Sequence, residues 1–217
     1  MMIKRVCLGI FVVLIVVSTA LCIEYAPFNA PELVDDPNYQ ILVSIINNPD
    51  IYTSWRCGFN VGLGLEYHET TSAPYEVYWL DSDGKRHGTY IKYYDSKHAK
   101  IAELGCYNHD KEEGFWIYKS ENGAIKRAGF FDKGNCSGYW VEWATNGDIL
   151  LELNYKNGKL DGFQREYLGG VSHYRSAEKN YEDGRLQGDW IQYDRFGKVL
   201  KIETYDYGVL ISTKDYH

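Results

Sequence analysis

The sequence has little of what most enzymes need. It contains no HExxH, no GxSxG, no P-loop and no Gly-rich run ahead of a helix, so the zinc-protease, nucleophile-elbow and phosphate-cradle chemistries have no local motif. The carboxylate pairs Asp35-Asp36 and Glu112-Glu113 are adjacent only in sequence. Neighbours on an extended strand or turn point to opposite sides, so neither pair can share one acid/base cleft. No catalytic group and no cofactor are expected, and the chain reads as a binding protein rather than an enzyme.

Basic residues are also in deficit. The chain has 23 Lys and Arg against 30 Asp and Glu, a net charge of −7. Nucleic acid and anionic lipid draw their protein affinity largely from Lys and Arg, so neither is an expected partner. Cysteine is sparse, with 5 in 217 residues and no CxxC. Cys7 and Cys22 belong to the N-terminal segment, which leaves Cys57, Cys106 and Cys136. Three cysteines allow at most one internal disulfide. Cys106 and Cys136 fall near successive turns of the repeat described below and are the favoured pair; the alternative is three small core or turn residues. None of the six His makes an i, i+4 pair on a helix, so a metal site would require histidines to converge in space.

What is present begins with Met1-Met-Ile-Lys4-Arg5, a basic start, and an uncharged apolar run from Val6 to Val17. Ser18-Thr19-Ala20 then supplies the small residues of a cleavage site, and removal of residues 1 to 20 would leave a secreted or envelope protein. Two alternatives stay open. Cys22 offers a lipid-attachment position, although Leu21 precedes it where a small residue is usual. An uncleaved anchor is the other, since the apolar run continues to Ile23 and approaches the length of a membrane span. Membrane contact is expected only through this segment. Residues 21 to 61 form a lead-in: Pro27, Pro31 and Pro37 favour extended chain, and apolar spacing from Asn38 to Ile46, halted at Asn47-Asn48-Pro49, predicts one short capping helix.

From residue 62 the chain repeats. Glycine, 21 residues spread evenly rather than clumped, marks the register: Gly62, Gly88, Gly114, Gly138, Gly162 and Gly188 open successive units spaced by 24 or 26 residues. A unit of that length, holding two short runs split by turn residues, predicts one β-hairpin per unit and about six units to residue 217. Two positions after the opening Gly stand Tyr90, Trp116, Trp140 and Trp190, with Gly64 and Gln164 as exceptions. Five positions after it stand Tyr67, Tyr93, Trp143, Tyr167 and Tyr193, while Lys119 breaks the column and Tyr118 falls one place early. These rings are expected to stack from hairpin to hairpin as the core. Gly within Ser120-Glu-Asn-Gly123, Thr145-Asn-Gly147, Leu168-Gly169-Gly170 and Arg195-Phe-Gly197, and again within Phe131-Asp-Lys-Gly134, Tyr155-Lys-Asn-Gly158 and Tyr181-Glu-Asp-Gly184, is read as two turns per unit.

Asp83-Gly84-Lys-Arg-His-Gly88, Tyr155-Lys-Asn-Gly158-Lys-Leu-Asp-Gly162 and Tyr181-Glu-Asp-Gly184-Arg-Leu-Gln-Gly188-Asp-Trp190 resemble MORN-type repeats, and more closely the MORN-variant repeats of bacterial YwqK-like antitoxin proteins. The likeness spans about residues 75 to 208. It implies an all-β, elongated single-layer meander of stacked hairpins that binds a protein. Two further expectations come from the residues themselves. Asp81-Ser-Asp83-Gly84 opens like a Ca²⁺ loop but has Lys92 where the closing Glu would stand, so it reads as a turn. Repeated Trp and Tyr on hairpins also suit stacking on sugars or quaternary ammonium groups, which makes a cell-wall carbohydrate or choline-type binder the competing function.

Overall fold

The structure, a computed structural model, describes residues 66–72, 74–168 and 174–217. The expected leader, Cys22, the helix expected before Pro49, the opening Gly62 and the turn expected at Gly169-Gly170 lie outside these residues. The described chain is all-β: β1 (Glu66–Glu69), β2 (Tyr75–Leu80), β3 (Gly88–Tyr93), β4 (Ile101–Asn108), β5 (Lys111–Lys119), β6 (Ile125–Asp132), β7 (Asn135–Trp143), β8 (Ile149–Lys156), β9 (Lys159–Tyr167), β10 (Arg175–Glu182), β11 (Arg185–Leu186), β12 (Gly188–Tyr193), β13 (Val199–Asp206) and β14 (Val209–Asp215). They form one open sheet in chain order, every pairing antiparallel, with β10 shared between the short β11 and β12. The single-layer hairpin meander expected from the repeat is what the chain builds.

Turn chemistry explains the meander. Between units the two central residues are His109-Asp110, Lys133-Gly134, Asn157-Gly158, Asp183-Gly184 and Tyr207-Gly208, and all ten have positive φ. That is the signature of the two-residue type I′ hairpin, whose twist matches that of the flanking strands. Asp110 stands where the other units have Gly and adopts φ 66, a region Asp enters more readily than most residues. Each turn is also tied to the one before it. The N–H groups of Asp110, Gly134, Gly158, Gly184 and Gly208 donate to the carbonyls of Arg86, Glu112, Cys136, Leu160 and Leu186, at 2.8–2.9 Å. The acceptor is always the residue two places before an opening Gly, so this end of the sheet is a stair of turns, each step bonded to the last.

The opening glycines do something other than turn the chain. Gly114, Gly138 and Gly162 lie inside β5, β7 and β9 with φ between 62 and 97. The pairing slips beside them, between Leu104 and Cys106, Ala128 and Phe130, and Leu153 and Tyr155 on the neighbouring strands. They are bulge glycines, and a bulge bends and twists the strand that carries it. The two turns read in each unit both form, within units at Gly123, Gly147 and Gly197 and between units at Gly134, Gly158 and Gly184; the opening glycine adds a bulge to them.

Because side chains alternate across a strand, β5 sends Phe115 and Ile117 to one face and Trp116 and Tyr118 to the other. The first face carries an apolar cluster of Leu104, Phe115, Ile117, Ala128, Phe130, Tyr139, Val141, Trp143 and Ile149. The second carries Tyr90, Tyr107 and Trp116, with Tyr78, Tyr118 and Phe131 packed against them. Burial on this scale stabilises by about 1.5–3 kcal/mol for each large side chain fully withdrawn from water.

Candidate functional site

The two aromatic columns part company in the structure. Trp116 and Trp140 stand in a run of rings from β3 to β8: Tyr90 to Trp116 at 5.6 Å, Trp116 to Tyr118 at 6.2 Å, Tyr118 to Trp140 at 6.4 Å and Trp140 to Tyr155 at 6.3 Å. Trp143 belongs to the opposite face, in the apolar cluster with Tyr167 beside it. An offset of three residues along a strand reverses the face, so the columns could not form one ladder. For the same reason Tyr118 does not stand in for the column that Lys119 breaks; it joins the tryptophans.

Trp116 is 2% exposed and Trp140 fully buried, and glycine makes room for both. A Cβ on Gly105 would lie 2.2 Å from the Trp116 ring, and one on Gly129 would lie 2.1 Å from the Trp140 ring. The indole Nε1 of Trp140 donates to the Phe130 carbonyl at 3.0 Å, and the Arg127 guanidinium covers the ring at 4.3 Å. The rule is readable as an offset: Gly105 and Gly129 each precede their Trp by eleven residues. Where the column holds Gln164, the same offset returns Leu153; at Trp190 it returns Lys179, whose Nζ lies 4.7 Å over the ring. Trp116 and Trp140 therefore present no open face to a sugar.

A polar group is buried on the other face. Glu152 is 2% exposed and accepts hydrogen bonds from the Tyr139 hydroxyl and, at 2.5 Å, from the Tyr167 hydroxyl. Arg165, also buried, lies 3.8 Å from Glu152 and 3.7 Å from Glu178. Burial, and then the Glu152 charge, push the Tyr167 hydroxyl well above its ordinary range. Its centre, Glu152 and Arg165, is withdrawn from solvent and serves packing.

Cys136 is a free thiol, whereas Cys106 is disulfide-bonded. The expected Cys106–Cys136 bridge is thus not formed. Cys106 lies on β4 and Cys136 on β7, three strand spacings or about 14 Å apart, while a disulfide needs α-carbons within about 7 Å. Burial pushes the Cys136 thiol up, which makes it a poor nucleophile. Gly88 and Gly188 open β3 and β12, Tyr93 stacks on His98 at 4.5 Å, and Tyr193 is half-buried.

One grouping was not expected. Asp81 and His87, from the connection between β2 and β3, and His109, from the turn between β4 and β5, bring one ligand atom each within 4.8 Å of one another. His109 Nε2 faces Asp81 Oδ2 at 3.5 Å, and the His87 and His109 rings meet edge to face at 5.0 Å. Asp81 Oδ1 accepts the N–H groups of Asp83 and Lys85 at 2.9 and 3.0 Å. Those bonds, that from Lys85 foremost, hold the carboxyl below its usual range.

The convergence follows from the stair of turns. In later units the residue just before the opening Gly reaches the first turn residue of the next unit: Glu113 to the Lys133 N–H, Asp161 to that of Asp183 and Gln187 to that of Tyr207. His87 and His109 occupy the same two places one step earlier. Reading those two positions together is the signal that would have found the pair. The turn at Asp81 to Lys85 differs from the later I′ turns: the Gly84 N–H returns to the Asp81 carbonyl at 2.9 Å, and the Asp81 N–H donates to the Lys85 carbonyl at 2.8 Å. This wider loop brings a carboxylate to the two imidazoles. A scan against protein-family models finds no match for the chain, and a search of curated proteins finds none either.

Proposed function

We propose that the chain is an exported MORN-variant repeat scaffold that binds a protein partner at its C-terminal edge. The observation that carries this reading is β14. All seven of its residues are exposed, among them Val209 at 63%, Leu210 at 49% and Ile211 at 61%. Among the described residues β14 ends the sheet, so its outer N–H and C=O groups face no further strand. Soluble proteins usually blunt such an edge with charge, proline or a bulge. Val209 to Thr213 carries neither charge nor proline. An edge of this kind suits an extended segment of another protein, which would gain main-chain hydrogen bonds from β14 and specificity from its side chains.

The MORN-variant likeness supports the same reading, because that family is a binding scaffold, and it makes a toxin-like protein the first partner class to try. The lack of a catalytic motif favours binding over catalysis. The test is capture from the chain's own cells with the full chain and with a Val209→Lys, Ile211→Lys variant. A defined protein retained by the first and lost by the second supports the proposal. A partner that binds both equally, or capture of glycan or lipid alone, overturns it.

A further inference from the structure

We propose that Asp81, His87 and His109 form a binding site for Zn²⁺ or a closely similar divalent transition metal at the first step of the turn stair. Two imidazoles and one carboxylate are a donor set suited to zinc; calcium and magnesium prefer oxygen throughout. The local geometry asks for a cation. His109 Nδ1 lies 2.8 Å from Asn108 Oδ1, and a proton donated there leaves the Nε2 lone pair turned toward Asp81. Asp81 Oδ2 is shielded from solvent and, among the described residues, receives no hydrogen bond. Two electron-rich atoms thus face each other at 3.5 Å, close to the separation of two ligands on one tetrahedral zinc at bond lengths of about 2.0–2.2 Å.

The surroundings hold Asp81 and His109 from outside the site. Asp81 Oδ1 is occupied by its two backbone donors, so Oδ2 is the oxygen available for coordination. Asn108 on His109 supplies the outer hydrogen bond that zinc-binding histidines use to fix tautomer and ring orientation. Arg86, next to His87 in the chain, is engaged by Asp110 at 3.3 Å and by the Tyr107 ring at 4.0 Å. The His109 side chain is 53% exposed, so the remaining coordination position opens to solvent, where water or a side chain of a bound protein would complete the shell. The metal would clip the wide Asp81 turn to the His109 turn, a connection that side chain to backbone bonds make in later units.

The test is titration of the full chain with Zn²⁺ by calorimetry, repeated on Asp81→Asn and His109→Asn. Asn at 81 keeps an oxygen for the two backbone donors, and Asn at 109 tolerates the positive φ; far-UV circular dichroism checks that both fold. The expected result is one equivalent bound to the parent chain and a loss of affinity of about tenfold or more in each variant. Co²⁺ substituted at the site should give a ligand-field spectrum without a thiolate charge-transfer band, which separates it from Cys136. Imidazole NMR shifts of the parent chain supply a measurement independent of the variants: Zn²⁺ should move His87 and His109 and leave His98 and His217 unmoved. No binding, equal binding in both variants, a thiolate band, or shifts confined to other histidines would each overturn the proposal.

Discussion

Strand β7 and strand β14 occupy equivalent places in their units, each following a type I′ turn, yet they could hardly be packed more differently. On β7, Tyr139, Trp140 and Val141 are 0–1% exposed and Trp143 is 6% exposed; on β14 every residue is exposed. The contrast extends to the tryptophan column. Trp140 is sunk onto Gly129, while Trp190 is half-buried and has the tip of Lys179 over it. The repeat therefore sets where the chain turns, and the residues filling each copy set how tightly that copy is held. A strand in the middle also has neighbours on both edges, while β14 has one, so the last hairpin is built from the same backbone with half the support.

The sharpest way to break this comparison is to remove a ring from each copy. Trp140→Ala should cost about 3–5 kcal/mol, the usual range for emptying a buried aromatic site, and Trp190→Ala distinctly less; urea unfolding of both variants measures the difference. Equal losses would place the two rings in equivalent environments.

Alkaline unfolding comes next in size. Burial pushes Tyr107 up to about 12 from an ordinary value of 10 and raises Tyr90 and Tyr118 further. A group whose folded value is raised contributes stability that is complete below its unfolded value and is lost as pH rises toward the folded one. Stability should therefore hold to about pH 10 and fall between 10 and 12. Tyrosine absorbance followed beside circular dichroism should show the central tyrosines ionising only as the sheet opens.

A smaller effect is expected from Gly129→Ala, which drives a methyl into the Trp140 ring and should cost about 1–3 kcal/mol by overpacking. Leu153, at the equivalent place over Gln164, already carries its side chain without that conflict, and Leu153→Ala probes the same offset where no tryptophan stands. Smallest is Lys133→Asn. It puts the favoured Asn-Gly pair into a turn whose first residue has φ 51, and should raise stability by about 0.5 kcal/mol in thermal melts.

The meander was legible because glycine spacing and hairpin turn chemistry are local properties, and the I′ turns fall at Gly134, Gly158 and Gly184 as read. The job of Gly114 and Gly138 was not legible, since a turn and a bulge both ask for the same positive φ. The Cys106–Cys136 pairing failed because nearness along the stair does not count intervening strands, and here β5 and β6 stand between. The fit of Trp140 onto Gly129 was present in the sequence as an offset of eleven, but it joins a strand of one unit to a strand of the next. His87 and His109 were missed in the same way, because their contact belongs to the junction between units and not to either unit alone. What a periodic reading finds is whatever the copies share; what distinguishes the described residues sits at the Asp81 and His109 turns and at β14, where the copies differ.

Native-state hydrogen exchange tests the contrast between centre and edge most directly, because it reports the opening free energy strand by strand. Amides of β5 to β8 should exchange only through global unfolding, with a denaturant dependence to match, while those shared by β13 and β14 should exchange through local opening at much lower free energy. Uniform protection from β5 to β14 would contradict the account.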